Sequence, residues 1–204
     1  KSFDNNVVAT SELTTRVTEG TTTIYVTVEV SSSILLLPEV PMTGRLDNPR
    51  VGYFTNPLTN FSDGQQRVNK KQFITRWRLE PRPEDRAAYL RGELVEPRKP
   101  IVFYIENSTP YRWRKYIKQG IEDWQVAFER AGFKNAIIAK DITEDMEVDM
   151  DDVNYSVLTY AASTKANAMG PSILDPRSGE ILEADIMWWH NVLSMLQEWI
   201  TVQT

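Results

Sequence analysis

PIVFYIENSTPYRWRKYIKQGIEDWQVAFERAGFKNAIIA, residues 100–139, is the stretch whose reading decides the fold. Residues 101–105 read as a strand, and Ser108, Thr109 and Pro110 then supply a helix start, with a hydroxyl to cap and a proline suited to the first turn. Trp113, Ile117, Ile121, Trp124 and Phe128 recur at spacings of three and four, which predicts one long amphipathic helix reaching Ala131. Gly132 supplies the left-handed stop, and residues 136–139 form a second strand. Strand, helix and strand make a βαβ unit, so the two strands are expected to be parallel.

Upstream of this unit the pattern is β-rich. Residues 7–17 and the alternation of Ile24, Val26, Val28 and Val30 with Tyr25, Thr27 and Glu29 read as a hairpin about a Thr18-Glu19-Gly20 turn, one face buried and one wet. Residues 34–37 continue as a short strand until Pro38 and Pro41 interrupt it. Further strands are expected at 51–55 and 72–79. Residues 81–99, rich in proline and charge, read as a linker or exposed arm. Downstream, an acidic excursion at 141–152 precedes a strand at 155–160, a long loop at 161–179 and a last strand at 180–187. The fold class is α+β: a β-rich N-terminal part over 1–80, the arm over 81–99, and a mixed sheet with one long helix over 100–204.

Composition narrows the function. The 204 residues carry 23 basic and 28 acidic side chains, a net charge of -5, which lacks the electrostatic footprint of a nucleic-acid binder. No apolar run approaches the roughly 20 residues that span a bilayer. With no cysteine, disulfides, thiol nucleophiles and thiolate metal sites are excluded. The chain begins at Lys1 without a signal pattern and ends in an apolar helical rhythm, Trp189, Val192, Leu193, Leu196 and Trp199, so both ends read as cuts within a longer protein.

Candidate chemistry is sparse. A peptidase zinc site takes two imidazoles on one helix turn, a glutamate base and a third ligand, whereas this chain has a single histidine, His190, expected to cap or hydrogen-bond at a strand-to-helix junction. The acidic run Glu144, Asp145, Glu147, Asp149, Asp151, Asp152 lacks calcium-loop spacing and reads as a solvated loop. Glu183 and Asp185 would share a strand face about 6.5 to 7 Å apart, the separation of a glycosidase pair, yet one wet face accounts for them. Asn-x-Ser/Thr sites occur at Asn60, Asn107 and Asn154 and matter only in a glycosylating pathway. No phosphate loop, nucleophile elbow or dinucleotide fingerprint is present.

An ordered series of short words resembles exported bacterial zinc-dependent metallopeptidases of metzincin type. The words are Leu36-Leu37-Pro38-Glu39 with Pro41-Met42, Arg50-Val51-Gly52-Tyr53-Phe54, Phe61-Ser62-Asp63, residues 100–105, Trp113-Arg114-Lys115-Tyr116, Gly120-Ile121-Glu122-Asp123-Trp124, residues 127–136 and residues 168–192. The resemblance implies that residues 100–204 form the upper, truncated subdomain of a catalytic domain whose zinc motif follows, so zinc belongs to the parent protein and none is expected on this chain. It also implies an edge strand over 181–186 that takes a peptide or protein substrate by strand addition. Gly179, Ile181, Leu182, Glu183 and Ala184 would form that strand, and Asn167, Met169 and Gly170 the bordering loop. An extracytoplasmic location and an inactive fragment follow from the same likeness. A half-domain would expose apolar surface and self-associate. The alternative is a non-catalytic module of an exported protein that binds a protein or a glycan.

Overall fold

A computed structural model describes residues 1–61, 64 and 66–203; Ser62 and Asp63 of the Phe61-Ser62-Asp63 word lie outside them. The fold is α+β, mostly strands, with a five-stranded mixed sheet and few helices. The hairpin is longer than its pattern: β1 (Asn6–Glu19) and β2 (Thr22–Leu35) pair antiparallel in unbroken register from Asn6↔Leu35 to Glu19↔Thr22. Gly20, at φ 61°, closes it as a two-residue turn requires. The expected apolar face exists, but among the described residues nothing covers it: Leu13 and Ile24 are 56% and 53% exposed.

Strands β3 (Thr55–Asn60) and β4 (Asn69–Ile74) form a second antiparallel pair, shifted from the expected 51–55 and 72–79. Pro57 lies opposite Gln72 in a two-stranded sheet, where a residue without an N–H is tolerated because each strand has an open edge. Beyond Ile74 the chain leaves the pair, and Trp77 and Leu79 turn into the main core. The 81–99 segment is no free arm. It contains a 3₁₀ turn and α1 (Arg86–Leu90), and it buries Val95 against Phe133 and Ala136, with Tyr89 stacked on Phe133 at 5.0 Å.

The βαβ unit is as expected. β5 (Ile101–Ile105) and β6 (Ile137–Asp141) are parallel, and Gly132 has φ 94°. Ile101, Phe103, Ile121, Ala139 and Leu158 form the core with Trp77 and Phe128 packed on it. The single long helix is instead two, α2 (Tyr111–Glu122) and α3 (Gln125–Arg130), and Trp124 at the break is 65% exposed rather than packed. The expected cap is also absent: Ser108 donates to Glu106, and Thr109 Oγ1 is buried without a partner. The break lets Glu122 and Gln125 both reach β6. Gln125 Oε1 accepts from Ala136 N at 2.9 Å, and Glu122 Oε1 from Ala139 N at 3.3 Å.

The main sheet continues through β7 (Ser156–Ala161), β8 (Ala168–Met169) and β11 (Ile186–Trp189), in the order β6-β5-β7-β11-β8. All neighbours are parallel except β8, which runs antiparallel to β11 at the margin. The expected long loop therefore holds β8 and also β9 (Ser172–Asp175), and the expected last strand divides at Asp185. Its first part, β10 (Glu180–Ala184), pairs with β9 in a separate hairpin. After β11 comes α4 (Val192–Gln203). Among the described residues no helix is long and apolar enough to cross a membrane.

Candidate functional site

Two neighbouring places receive the residues singled out in the sequence. The first is the margin of the main sheet. Asn167, Met169 and Gly170 lie on or beside β8 in a run, residues 164–172, that is exposed throughout. Trp189 N donates to Asn167 O at 3.4 Å, Asp185 N donates to Pro171 O at 3.0 Å, and Met169 lies opposite Met187. Antiparallel alternation therefore turns the backbone groups of residues 167, 169 and 171 toward β11 and those of Ala168 and Gly170 outward. The outward Ala168 N–H is held by Asn167 Oδ1 at 2.8 Å. The opposite margin of the sheet differs, because Glu122 and Gln125 side chains occupy backbone donors of β6 and its approach. Side chains thus cover Ile137 N and Ala139 N at one edge, while at the other Asn167 covers Ala168 N and Gly170 faces outward.

Next to the open edge, β11 contributes Ile186 and Trp188 to an apolar cavity of about 380 Å³ whose other walls include Trp113, Ile117, Leu158 and Leu193. His190, just beyond β11, hydrogen-bonds through Nδ1 to the Tyr160 hydroxyl, and its N–H donates to Ala161 O at 3.0 Å. Both bonds tie the end of β11 to the end of β7, the junction role expected of this histidine.

The second place is the β9–β10 hairpin, which takes Gly179, Ile181, Leu182, Glu183 and Ala184. These residues do not form the edge of the main sheet. Ile181 lies opposite Leu174 and Glu183 opposite Ile173, with the register shifting across Leu182. The other side of β10 is partly occupied too: Ile181 N donates to Arg76 O at 2.9 Å and Ala184 N to Ser156 Oγ at 3.1 Å. Gly179 is buried at φ 75° against Ile74. In the turn before it, the fully buried Asp175 accepts from Arg177 Nη2 at 2.7 Å and Nε at 3.0 Å, while Nη2 also donates to Pro38 O at 2.6 Å. The Arg177 guanidinium holds the Asp175 carboxyl below the usual carboxylate range, against the opposing effect of burial.

The carboxylates of β10 are not on a wet face. Glu180 and Glu183 are each only 7% exposed. Burial pushes Glu180 upward, with Arg78 Nη1 at 3.8 Å from Oε2 opposing it. It lines a cleft of about 300 Å³ between residues 35–39, Trp77, Lys99 and β10. Glu183 is raised to about 8, first by desolvation, then by its hydrogen bond to Asp185 and by that neighbour's charge. The shift favours its protonated form at neutral pH. Asp185 Oδ1 meanwhile accepts from Val157 N at 2.8 Å. The pair faces a cavity of about 180 Å³ under the hairpin base, walled by Asn6, Ser33 and the 150–153 loop. Asn6 is buried there, donating to Asp151 O at 2.7 Å and accepting from Val153 N at 3.3 Å. The acidic loop is thus a docking segment for β1 as well as a solvated surface.

Nothing in the alternating pattern of 180–187 signals this burial. What sequence reading missed is β8 as the margin of the sheet and the partner role of Ser156 and Val157, both set by contacts distant in sequence. Among the described residues no three His, Cys, Asp or Glu side chains are grouped to hold a metal ion. Residues 1–82 match the family model described as Domain of unknown function (DUF5117). No curated protein and no solved structure matches the chain.

Proposed function

We propose that this chain is a non-catalytic part of an exported bacterial zinc-dependent metallopeptidase of metzincin type, in which it supplies the sheet margin on which a peptide substrate is laid. The zinc and its ligands belong elsewhere in the parent, and the chain itself is inactive. The observation that carries the reading is the asymmetry of the five-stranded sheet. β6 has the outer donors Ile137 N and Ala139 N taken by Gln125 and Glu122, whereas β8 leaves Gly170 facing outward in a fully exposed run, with the Ala168 N–H held by Asn167. An open edge strand with unpaired donors and acceptors is what an extended peptide pairs with. The ordered sequence words around it support the peptidase over other strand-binding proteins.

In this reading Gly170 meets substrate through its outward backbone, Asn167 and Met169 hold β8 to β11, and Gly179 and residues 181–184 belong to the neighbouring β9–β10 hairpin. The non-catalytic binding module remains the rival, and the Glu180 cleft, with Arg78 and Lys99 beside it, is the feature that favours it. Gly170→Pro separates the two. It removes one outward N–H while leaving the pairing of Met169 with Met187 intact. Isothermal titration with an extended, uncharged peptide is expected to show binding weakened at least about tenfold, the loss of roughly one hydrogen bond's worth of affinity. Unchanged affinity in a folded Gly170→Pro chain, with loss on Arg78→Ala instead, would favour the module.

A further inference from the structure

The β1–β2 hairpin has an apolar face that the other described residues leave bare. From the register, Val7 pairs with Ile34, Leu13 with Val28 and Val17 with Ile24 on one face. These six are 40% to 68% exposed. Between Val7 and Val17 that face carries no charged residue on either strand. The opposite face is mostly polar: Thr10 meets Ser31, Thr14 meets Thr27 and Thr18 meets Thr23 at 3.3, 2.9 and 3.2 Å, with Glu12 opposite Glu29 and Arg16 opposite Tyr25. Only at its base is that opposite face covered, where Asn6 and Val8 are buried. A two-stranded ribbon with both faces in water is marginal at best, and each strand here is 14 residues long. Its apolar face therefore calls for a cover.

We infer that a second copy of this chain supplies the cover, the two ribbons packing face to face and antiparallel about a two-fold axis. The order of side-chain sizes along the face carries the choice. The Val7/Ile34 pair at the base and the Val17/Ile24 pair at the far end are the same two residue types. Between them come Ala9/Ser32, Ser11/Val30, Leu13/Val28 and Thr15/Val26. An axis between Ser11/Val30 and Leu13/Val28 lays the Val/Ile ends on each other and the smallest pair, Ala9/Ser32, under Thr15/Val26. Such self-complementarity is what an isologous interface requires. Area agrees: the exposed aliphatic groups offer about 500 Å² per copy, the upper range for a patch on a monomer. Doubled, this is about 1,000 Å², the size a specific interface must reach.

Sedimentation velocity on the chain at micromolar concentrations is expected to give a dimer. Leu13→Lys with Val28→Lys, which places four like charges beside the axis, is expected to weaken it at least about a hundredfold. The polar-face control Thr14→Lys with Thr27→Lys leaves it intact. Because the chain has no cysteine, Val7→Cys and Val17→Cys chains can be mixed and treated with a short bis-maleimide. Cross-linking of Val7→Cys to Val17→Cys supports the antiparallel pair. A monomeric wild-type chain, dissociation by the polar-face control, or cross-links only between identical positions would overturn it.

Discussion

Gly179→Ala is expected to destabilise the chain by about 4 kcal/mol, a loss that places it among the severe single substitutions. Two effects add. The residue sits at φ 75°, where a side chain is strained, and a Cβ there would lie 2.5 Å from Ile74 O and 3.2 Å from Ile74 C. The obstacle is backbone, so a rotamer change gives no relief. The strand bridge it supports would part: Arg76 N donates to Gly179 O at 3.1 Å, and Ile181 N to Arg76 O at 2.9 Å. This bridge and the Arg177 bond to Pro38 join the 1–82 region to the β9–β10 hairpin. Thermal unfolding reads the effect, expected as a fall of about 10 °C in Tm for a chain of this size. A Gly179→Ala chain melting with the wild type would show that the turn does not hold the two regions together.

Glu183 makes stability depend on pH in an unusual direction. An acid whose folded value is raised to about 8 stays protonated in the folded chain while its unfolded counterpart ionises above the ordinary glutamate range, near 4.3. Between those two values the folded state binds more protons, so stability falls as pH rises. Over that window the loss attributable to this group is on the order of 2 to 4 kcal/mol, after allowing for water access through the adjacent cavity. Glu183→Gln keeps the shape and removes the titration. It is expected to be close to wild type near pH 5 and more stable by a similar amount near pH 8 in urea unfolding. Parallel wild-type and Glu183→Gln stability curves from pH 5 to 8 would remove Glu183 from the buried pair.

The βαβ unit was legible because its information is local: two apolar strands, a helix face at spacings of three and four, and Gly132 where a left-handed residue is needed. The β1–β2 hairpin was legible in its alternation, though not in its cover, since a pattern states which face is apolar and never what lies over it. The division of 180–187 was hidden because Glu183 and Asp185 alternate as solvent-facing residues would. Burial of both depends on Ser156, Val157 and the hairpin base, each far away in sequence. β8 is two residues long, too short for any period, and its position as the open margin follows only from the order of strands. The helix break at Asp123 was hidden for a related reason: the apolar spacing runs through Trp124, while the requirement to seal β6 with Glu122 and Gln125 arises from tertiary packing.

Amide hydrogen exchange with and without a saturating extended peptide tests the central claim most directly, because it reads which strand the peptide joins. The outward Gly170 N–H and its neighbours in residues 164–172 are expected to gain protection, with β10 and the Glu180 cleft unchanged. Protection confined to residues 180–184 or to the cleft, with the β8 margin exchanging as before, would contradict the assignment of β8 as the substrate-bearing edge.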